Sequence, residues 1–169
     1  MNKTIYLIRH AKSSWSHPDL NDYDRPLNDR GKYGLSLISN YIKKENIRPE
    51  VILYSSAKRT TETFHGICKH MDLNKIHVLS KKELYHASQK TIVNHLNSLP
   101  DEYNTAFYIG HNPGITDALN YLTDAGIDNM PTLGFAEIEF DVSSWNEVHR
   151  ALGSLKRFIY PKKLDPVNG

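Results

Sequence analysis

Apolar residues in this chain follow two rhythms. Short continuous runs rich in β-branched and aromatic side chains alternate with longer stretches whose apolar positions recur every three or four residues, which is the pattern of an α/β domain. Ile5, Tyr6, Leu7 and Ile8 follow one another without a polar break, so residues 4–8 are predicted as a strand buried on both faces. A polar stretch over 11–24, closing in Arg25-Pro26, is predicted as a loop. From Asn28 or Asp29, either able to cap a helix, Leu35, Ile38 and Ile42 share one face of a helix that ends near Asn46, ahead of Pro49. Residues 51–54 form a second buried strand, with Ser55-Ser56 as N-cap of a helix over 57–71. A third strand covers 76–79, and Ser88 caps a helix to about 98 with Ile92, Val93 and Leu96 inward.

Residues 105–109 read as a fourth strand. Gly110-His111-Asn112-Pro113-Gly114 follows, then a helix carrying Ile115, Leu119 and Leu122, with Pro113 suited to its first turn. In the last quarter Ala136, Ile138, Phe140 and Val142 alternate with Glu137, Glu139 and Asp141, which predicts a strand with one face in water. Residues 154–160 are its expected antiparallel partner, across a turn within 143–153. No repeat, low-complexity tract or linker interrupts the pattern. Residues 1–169 are therefore expected to form one domain, a three-layer α/β sandwich with a mostly parallel sheet between helices.

Composition narrows the function classes. With 169 residues the chain is about one domain long, enough to bury ~70% of the surface an unfolded chain exposes. Lys and Arg number 21 against 19 Asp and Glu, a formal charge of +2, and no interleaved basic and aromatic stripe appears, so nucleic acid is not an expected partner. Nine histidines leave room for a local anion site. Cys68 is the sole cysteine, which excludes an internal disulfide, fits a reducing compartment and suits a small core residue. The apolar run before Arg9 is too short for a signal peptide, and no run approaches the ~18 residues of a membrane span. A cytoplasmic protein without a membrane partner is expected.

Three predicted strands end in loops bearing basic or imidazole groups. The first ends in Arg9-His10, the second in Ser55-Ser56 with Lys58 and Arg59 just beyond, the fourth in Gly110-His111. Open parallel sheets bind ligands beyond the carboxyl ends of their strands, so these groups are expected to converge on one cleft. Two guanidiniums, two imidazoles and helix N-termini suit an oxyanion, and they would over-neutralise a single carboxylate, so phosphate is the expected guest. Singly, each residue has a plainer role: Arg9 a surface arginine, His10 a core histidine, Arg59 a solvated charge, the 110–114 segment a turn. Three strand ends acquiring them together argues for a site. No HExxH, CxxC or acidic cluster occurs, so neither metal nor cofactor is expected.

Arg9-His10 with Ser13 and Trp15 resembles the RHG-x-S-x-W-N signature of the histidine phosphatase superfamily, the group that includes cofactor-dependent phosphoglycerate mutases. The run 55–63 resembles that family's S-P-x-x-R-A-x-x-T segment, and Gly110-His111 its second histidine motif. More narrowly, RHAKSSW, DRPLNDRG, ELYHAS and GHNPG, in this order, resemble the SixA-like phosphohistidine phosphatases. Departures are Ala11 for the usual glycine, Lys12 for Glu or Gln, Ser16 for asparagine and Ser56 for proline. The resemblance implies a phosphoglycerate mutase-like fold and a metal-independent phosphatase working through a phosphohistidine intermediate on His10. Arg9, Arg59 and His111 form its clamp, Glu83 stands at the acid position, and Ser13, Ser16, Arg25, His86 and Asn112 lie about the substrate.

Physical chemistry supplies reasons for these roles. Imidazole attacks phosphorus only when unprotonated, and nearby Arg9 and Arg59 disfavour the imidazolium of His10 while stabilising phosphate. Phosphoryl transfer is mostly positioning and charge stabilisation, which the clamp supplies before water attacks the intermediate. Two readings of Glu83 stand side by side: a carboxyl kept protonated in a partly buried cleft, or a solvated charge after Lys81-Lys82. Arg25 either lines the cleft mouth or anchors its loop by pairing with Asp22 or Asp24. Three functions follow in order: a phosphatase of histidine-phosphorylated protein, whose leaving imidazole makes little demand on an acid; a small-molecule phosphomonoesterase, which needs Glu83; and a phosphate- or phosphoprotein-binding module without turnover.

Overall fold

The structure, a computed structural model, describes residues 2–167. Six strands, β1 (Lys3–Arg9), β2 (Val51–Ser55), β3 (His77–Lys81), β4 (Thr105–Gly110), β5 (Phe135–Phe140) and β6 (Ser154–Ile159), form one sheet in the order β3-β2-β4-β1-β5-β6. The first four in that order run parallel; β5 is antiparallel to β1, and β6 to β5. The helices are α1 (Asp29–Lys44), α2 (Lys58–Ile67), α3 (Gln89–Asn97), α4 (Gly114–Thr123) and the short α5 (Pro161–Leu164). Among the described residues no helix is long and apolar enough to cross a membrane.

Burial on both faces explains the unbroken apolar runs. Ile5 and Leu7 of β1 pack with Ile92 and Leu96 of α3 and Ile115 and Leu119 of α4. Tyr6 and Ile8 face the opposite layer, where Leu35, Ile38 and Ile42 of α1 meet Phe64 and Ile67 of α2. The expected three layers and mostly parallel sheet are present. Since α1 leaves β1 on one face and α4 leaves β4 on the other, a crevice opens between these neighbouring strands, where Arg9 is in register with Gly110.

Local chemistry sets the boundaries. Asn28 caps α1, its Oδ1 accepting from Gly31 N at 2.8 Å, and Ser88 caps α3 through Thr91 N at 3.2 Å. The loop after β1 lies so close to α1 that a Cβ at Gly31 would collide with the Lys12 carbonyl. Gly114 does the same for α4: a side chain there would strike the Ala87 carbonyl, so glycine lets the 84–88 segment pack beside the loop after β4.

Three expectations need correction. Ser55-Ser56 does not cap α2; its N-cap is Ala57 without a side-chain bond, because Ser55 ends β2 and its Oγ is turned to His111. Pro113 stands just before α4 as its N-cap, with Asp117 N–H donating to its carbonyl. The alternation in β5 does not mark a wet face. Glu137 is buried because its carboxylate accepts from Arg157 Nε at 2.6 Å and Tyr6 Oη at 3.0 Å, while Tyr41 of α1 accepts from the same arginine at 2.7 Å. Paired, the charge is tolerated inside. The half-exposed strands are the two edge strands, β3 and β6, the latter antiparallel to β5 as expected.

Candidate active site

A cleft of about 500 Å³ lies beyond the carboxyl ends of β1, β2 and β4 and is lined by Arg9, His10, Ser13, Asp22, Arg25, Arg59, His86, His111 and Asn112, with Lys12, Trp15 and Thr132 at its margins. The residues of the three strand ends therefore do converge. His10 follows β1 and is buried; its Nδ1 lies 2.7 Å from the Ala11 carbonyl, which can only accept, so Nδ1 carries the proton and Nε2 is left with a lone pair. His111, opposite, has its ring centre 5.4 Å from that of His10 and its Nε2 2.7 Å from Ser55 Oγ.

Burial is the main reason that both imidazoles resist protonation. His10 is pushed down from 6.5 to about 3 by desolvation, with Arg59, Arg9 and Arg25 adding to the effect against the opposing bond to Ala11. His111 is lowered to about 2, again chiefly by burial, then by His10 and Arg59. An unfolded chain takes up protons at both sites below pH 6.5, whereas the native one does not, so the stability present above that value is lost as the pH falls from 6.5 toward 3. Denaturant midpoints across that interval should fall less steeply for His10→Asn than for the wild type; parallel curves would remove this assignment.

Arg59, only 3% exposed, donates to the Asp22 carbonyl at 2.6 Å and to Asp22 Oδ2 at 2.9 Å. Arg25 is also buried. It reaches Asp22 Oδ1 at 2.8 Å, Ser13 Oγ at 2.5 Å and the Ser14 carbonyl at 3.0 Å, so it both lines the cleft and anchors its loop. Partial burial opposes ionisation of Asp22, but donors from Tyr85, Arg25, Arg59 and His86 outweigh it and hold the carboxyl far below the usual range. Three guanidiniums and this one carboxylate leave two positive charges around two neutral imidazoles, which matches a phosphate dianion.

Two buried atoms of the cleft residues, Arg9 Nε and His111 Nδ1, have no hydrogen-bond partner among the described residues. Arg9 is otherwise fixed by a 2.9 Å bond to the Met130 carbonyl.

Other expected residues fall differently. Ser16 is exposed, bonded to Ser14 Oγ at 2.7 Å and absent from the cleft wall, because the bridge between Ser13 and Leu27 turns the chain outward there. Asn112 lines the cleft, but its amide is engaged: it donates to Asn129 Oδ1 and the Met130 carbonyl and accepts from Thr116. Of the two readings of Glu83, its position fits the solvated charge. Its side chain is 57% exposed, 3.5 Å from His95 Nε2 and outside the cleft, and a backbone bond, then His95 and Lys81, hold its carboxyl below the ordinary range against slight desolvation. Glu83→Gln should change kcat by less than about threefold, against the roughly 10²- to 10⁴-fold loss of a true general acid, as steady-state assays on phosphoesters would show.

Asp22 is the residue that sequence reasoning missed as a centre of the site. It had been visible only as a neighbour of Arg25; its contacts with Arg59, Tyr85 and His86 span 37, 63 and 64 positions of chain. Trp15, 81% exposed, lies with its ring centre 3.3 Å from Arg25 Cζ at the rim.

A family model described as histidine phosphatase superfamily (branch 1) matches residues 5–84, the stretch holding Arg9, His10 and Arg59. A structure carrying the SixA designation from Agrobacterium tumefaciens is 25% identical, with a TM-score of 0.81 over 94% of this chain and 98% of that one. The protein histidine phosphatase SixA complexed with tungstate, at 19% identity, shares the fold with a TM-score of 0.81 over 96% and 99% of the two chains. Among curated relatives, an uncharacterised protein of Mycobacterium leprae is 28% identical over 92% of this chain and its own full length, and an uncharacterised chloroplastic protein of Arabidopsis thaliana is 27% identical over 90% of this chain and 73% of its own. Residues 5–84, just under half of the chain, are thus similar to the histidine phosphatase superfamily, and the fold and cleft agree with that likeness. In fold it is similar to the SixA structures.

Proposed function

We propose that this chain is a phosphatase and hydrolyses phosphohistidine on a protein partner through a covalent intermediate on His10. His10 Nε2 attacks phosphorus in line with the departing group, Arg9, Arg59 and His111 hold the equatorial oxygens, and water then hydrolyses the phosphorylated His10. A nucleophile that stays neutral far into acid serves this first step well.

The observation that carries the substrate assignment is that Asp22, the carboxyl lining the cleft among the described residues, is held ionised by its donors. Asp22 is held ionised and Glu83 lies outside, so an alkoxide leaving group finds no carboxylic acid. Imidazole departs more readily than an alkoxide, so a donor weaker than a carboxylic acid suffices for it. Two further features favour a protein over a small molecule. Lys12, Trp15 and His86 on the rim are exposed, and a groove of about 180 Å³ lined by Lys12, Arg30 and Lys162 shares Lys12 and Thr132 with the cleft, which suits an acidic protein surface.

The test compares phosphate release from a histidine-phosphorylated protein and from phosphomonoesters. Expected is a kcat/KM at least about tenfold higher for the phosphoprotein, a discrimination of somewhat over 1 kcal/mol in transition-state binding. Esters far preferred, with a loss of activity on Glu83→Gln, would instead establish the small-molecule phosphomonoesterase.

A further inference from the structure

His86 sits on the rim of the cleft, its side chain 51% exposed, and its backbone has φ +52°, a left-handed conformation that non-glycine residues seldom adopt. Such strain persists where the surroundings fix it. Here the neighbouring Ala87 carbonyl is pressed against Gly114, and Tyr85 N–H is tied to the Lys82 carbonyl at 3.0 Å. The conformation sets the imidazole 3.0 Å from Asp22 through Nε2, with ring centres 4.1 Å from Tyr85 and 5.2 Å from His111. Asp22 Oδ2 also accepts from Tyr85 Oη and Arg59. Nδ1 of His86 has no partner among the described residues.

We propose that His86 is the proton donor to the leaving group, with Asp22 as the positioning residue that holds its ring. The proposal rests on the reading of this cleft as a phosphohistidine phosphatase and supplies the acid that Glu83 does not. As His10 Nε2 forms its bond to phosphorus, the P–N bond to the substrate imidazole breaks and its electron pair stays on that nitrogen. The proton from His86 Nδ1 passes to the other nitrogen of the substrate ring, so the ring leaves neutral and His86 becomes neutral. In the second half, water attacks phosphorus, the P–N bond to His10 breaks with its pair returning to Nε2, and the proton lost by water restores His86. Donor and acceptor are both imidazoles, so the proton passes between groups of the same kind. A rim position also fits the chemistry, because the ring nitrogen that must be protonated is the one remote from the phosphoryl group.

His86→Asn is the discriminating variant, since asparagine tolerates a left-handed backbone and its amide can still donate to Asp22, yet it carries no proton to give. Near pH 7, its rate on a histidine-phosphorylated protein should fall roughly 10²-fold more than its rate on p-nitrophenyl phosphate, whose leaving group departs as a stable phenolate. Added imidazole should restore part of the phosphohistidine rate in His86→Ala. Equal losses on both substrates, or none, with no rescue, would overturn the proposal. Should the asparagine variant not fold, His86→Gln carries the same comparison. A wild type that hydrolyses p-nitrophenyl phosphate but not phosphohistidine refutes the substrate reading alone; the donor is then judged from glycerol phosphate against p-nitrophenyl phosphate, and an unchanged ratio in the variant overturns it.

Discussion

His10→Ala should lower kcat by roughly 10⁴- to 10⁶-fold, the scale seen when a covalent nucleophile is deleted, and still bind inorganic phosphate. The reason is a division of labour in the cleft. His10 has its Nδ1 bonded to the Ala11 carbonyl, which leaves the lone pair on Nε2, whereas in the proposed mechanism the donors for the oxyanion are Arg9, Arg59 and His111, which line the same cleft. Removing the first leaves the second in place. The affinity for phosphate, followed by calorimetry, should remain within about one order of magnitude, or 1.4 kcal/mol. A variant that still turns over within tenfold of wild type would show that another group, or water directly, attacks phosphorus. A phosphate-binding module without turnover would show no activity in the wild type either.

Arg59→Met should cost roughly 10³-fold in kcat/KM, the range measured for single preorganised donors and for arginines that stabilise a transferring phosphoryl group. Arg59 is buried and forked, bonded to both the carbonyl and the carboxylate of Asp22, so its orientation is set before substrate arrives. Stability should suffer less, by no more than about 2 kcal/mol, because the Asp22 side chain is 40% exposed and keeps Arg25, Tyr85 and His86 as donors. Arg59→Lys restores the charge without the fork and should recover only part of the lost rate. Kinetics on p-nitrophenyl phosphate together with urea midpoints separate the two effects. A large loss of stability with a proportionate loss of activity would make Arg59 a structural residue.

Much of this architecture was legible in the chain because it depends on local signals. The runs at Ile5–Ile8 and in β2 and β4 could only be strands buried on both faces, and Asn28 and Ser88 mark helix starts by their own hydrogen-bonding chemistry. Arg9, His10, Arg59 and His111 were legible for a related reason: each lies at or just beyond a strand end, and a parallel sheet gathers those ends. What stayed hidden depends on contacts distant in sequence. The alternation in β5 resembled a wet face because Arg157, which pairs with Glu137, comes twenty residues later. Asp22 and Glu83 show the same limit in opposite directions. One looked like a loop carboxylate and is gripped by four donors; the other occupies a motif and points to His95.

The most direct test of covalent catalysis at His10 is rapid quenching of the wild-type enzyme with substrate, followed by peptide mass spectrometry under alkaline conditions that preserve P–N bonds. The account predicts a phosphoryl group on His10 that forms and decays at rates consistent with turnover and is missing from His10→Ala. A phosphorylated His111 or His86 in place of His10, or turnover with no phosphorylated enzyme at any time, would contradict it.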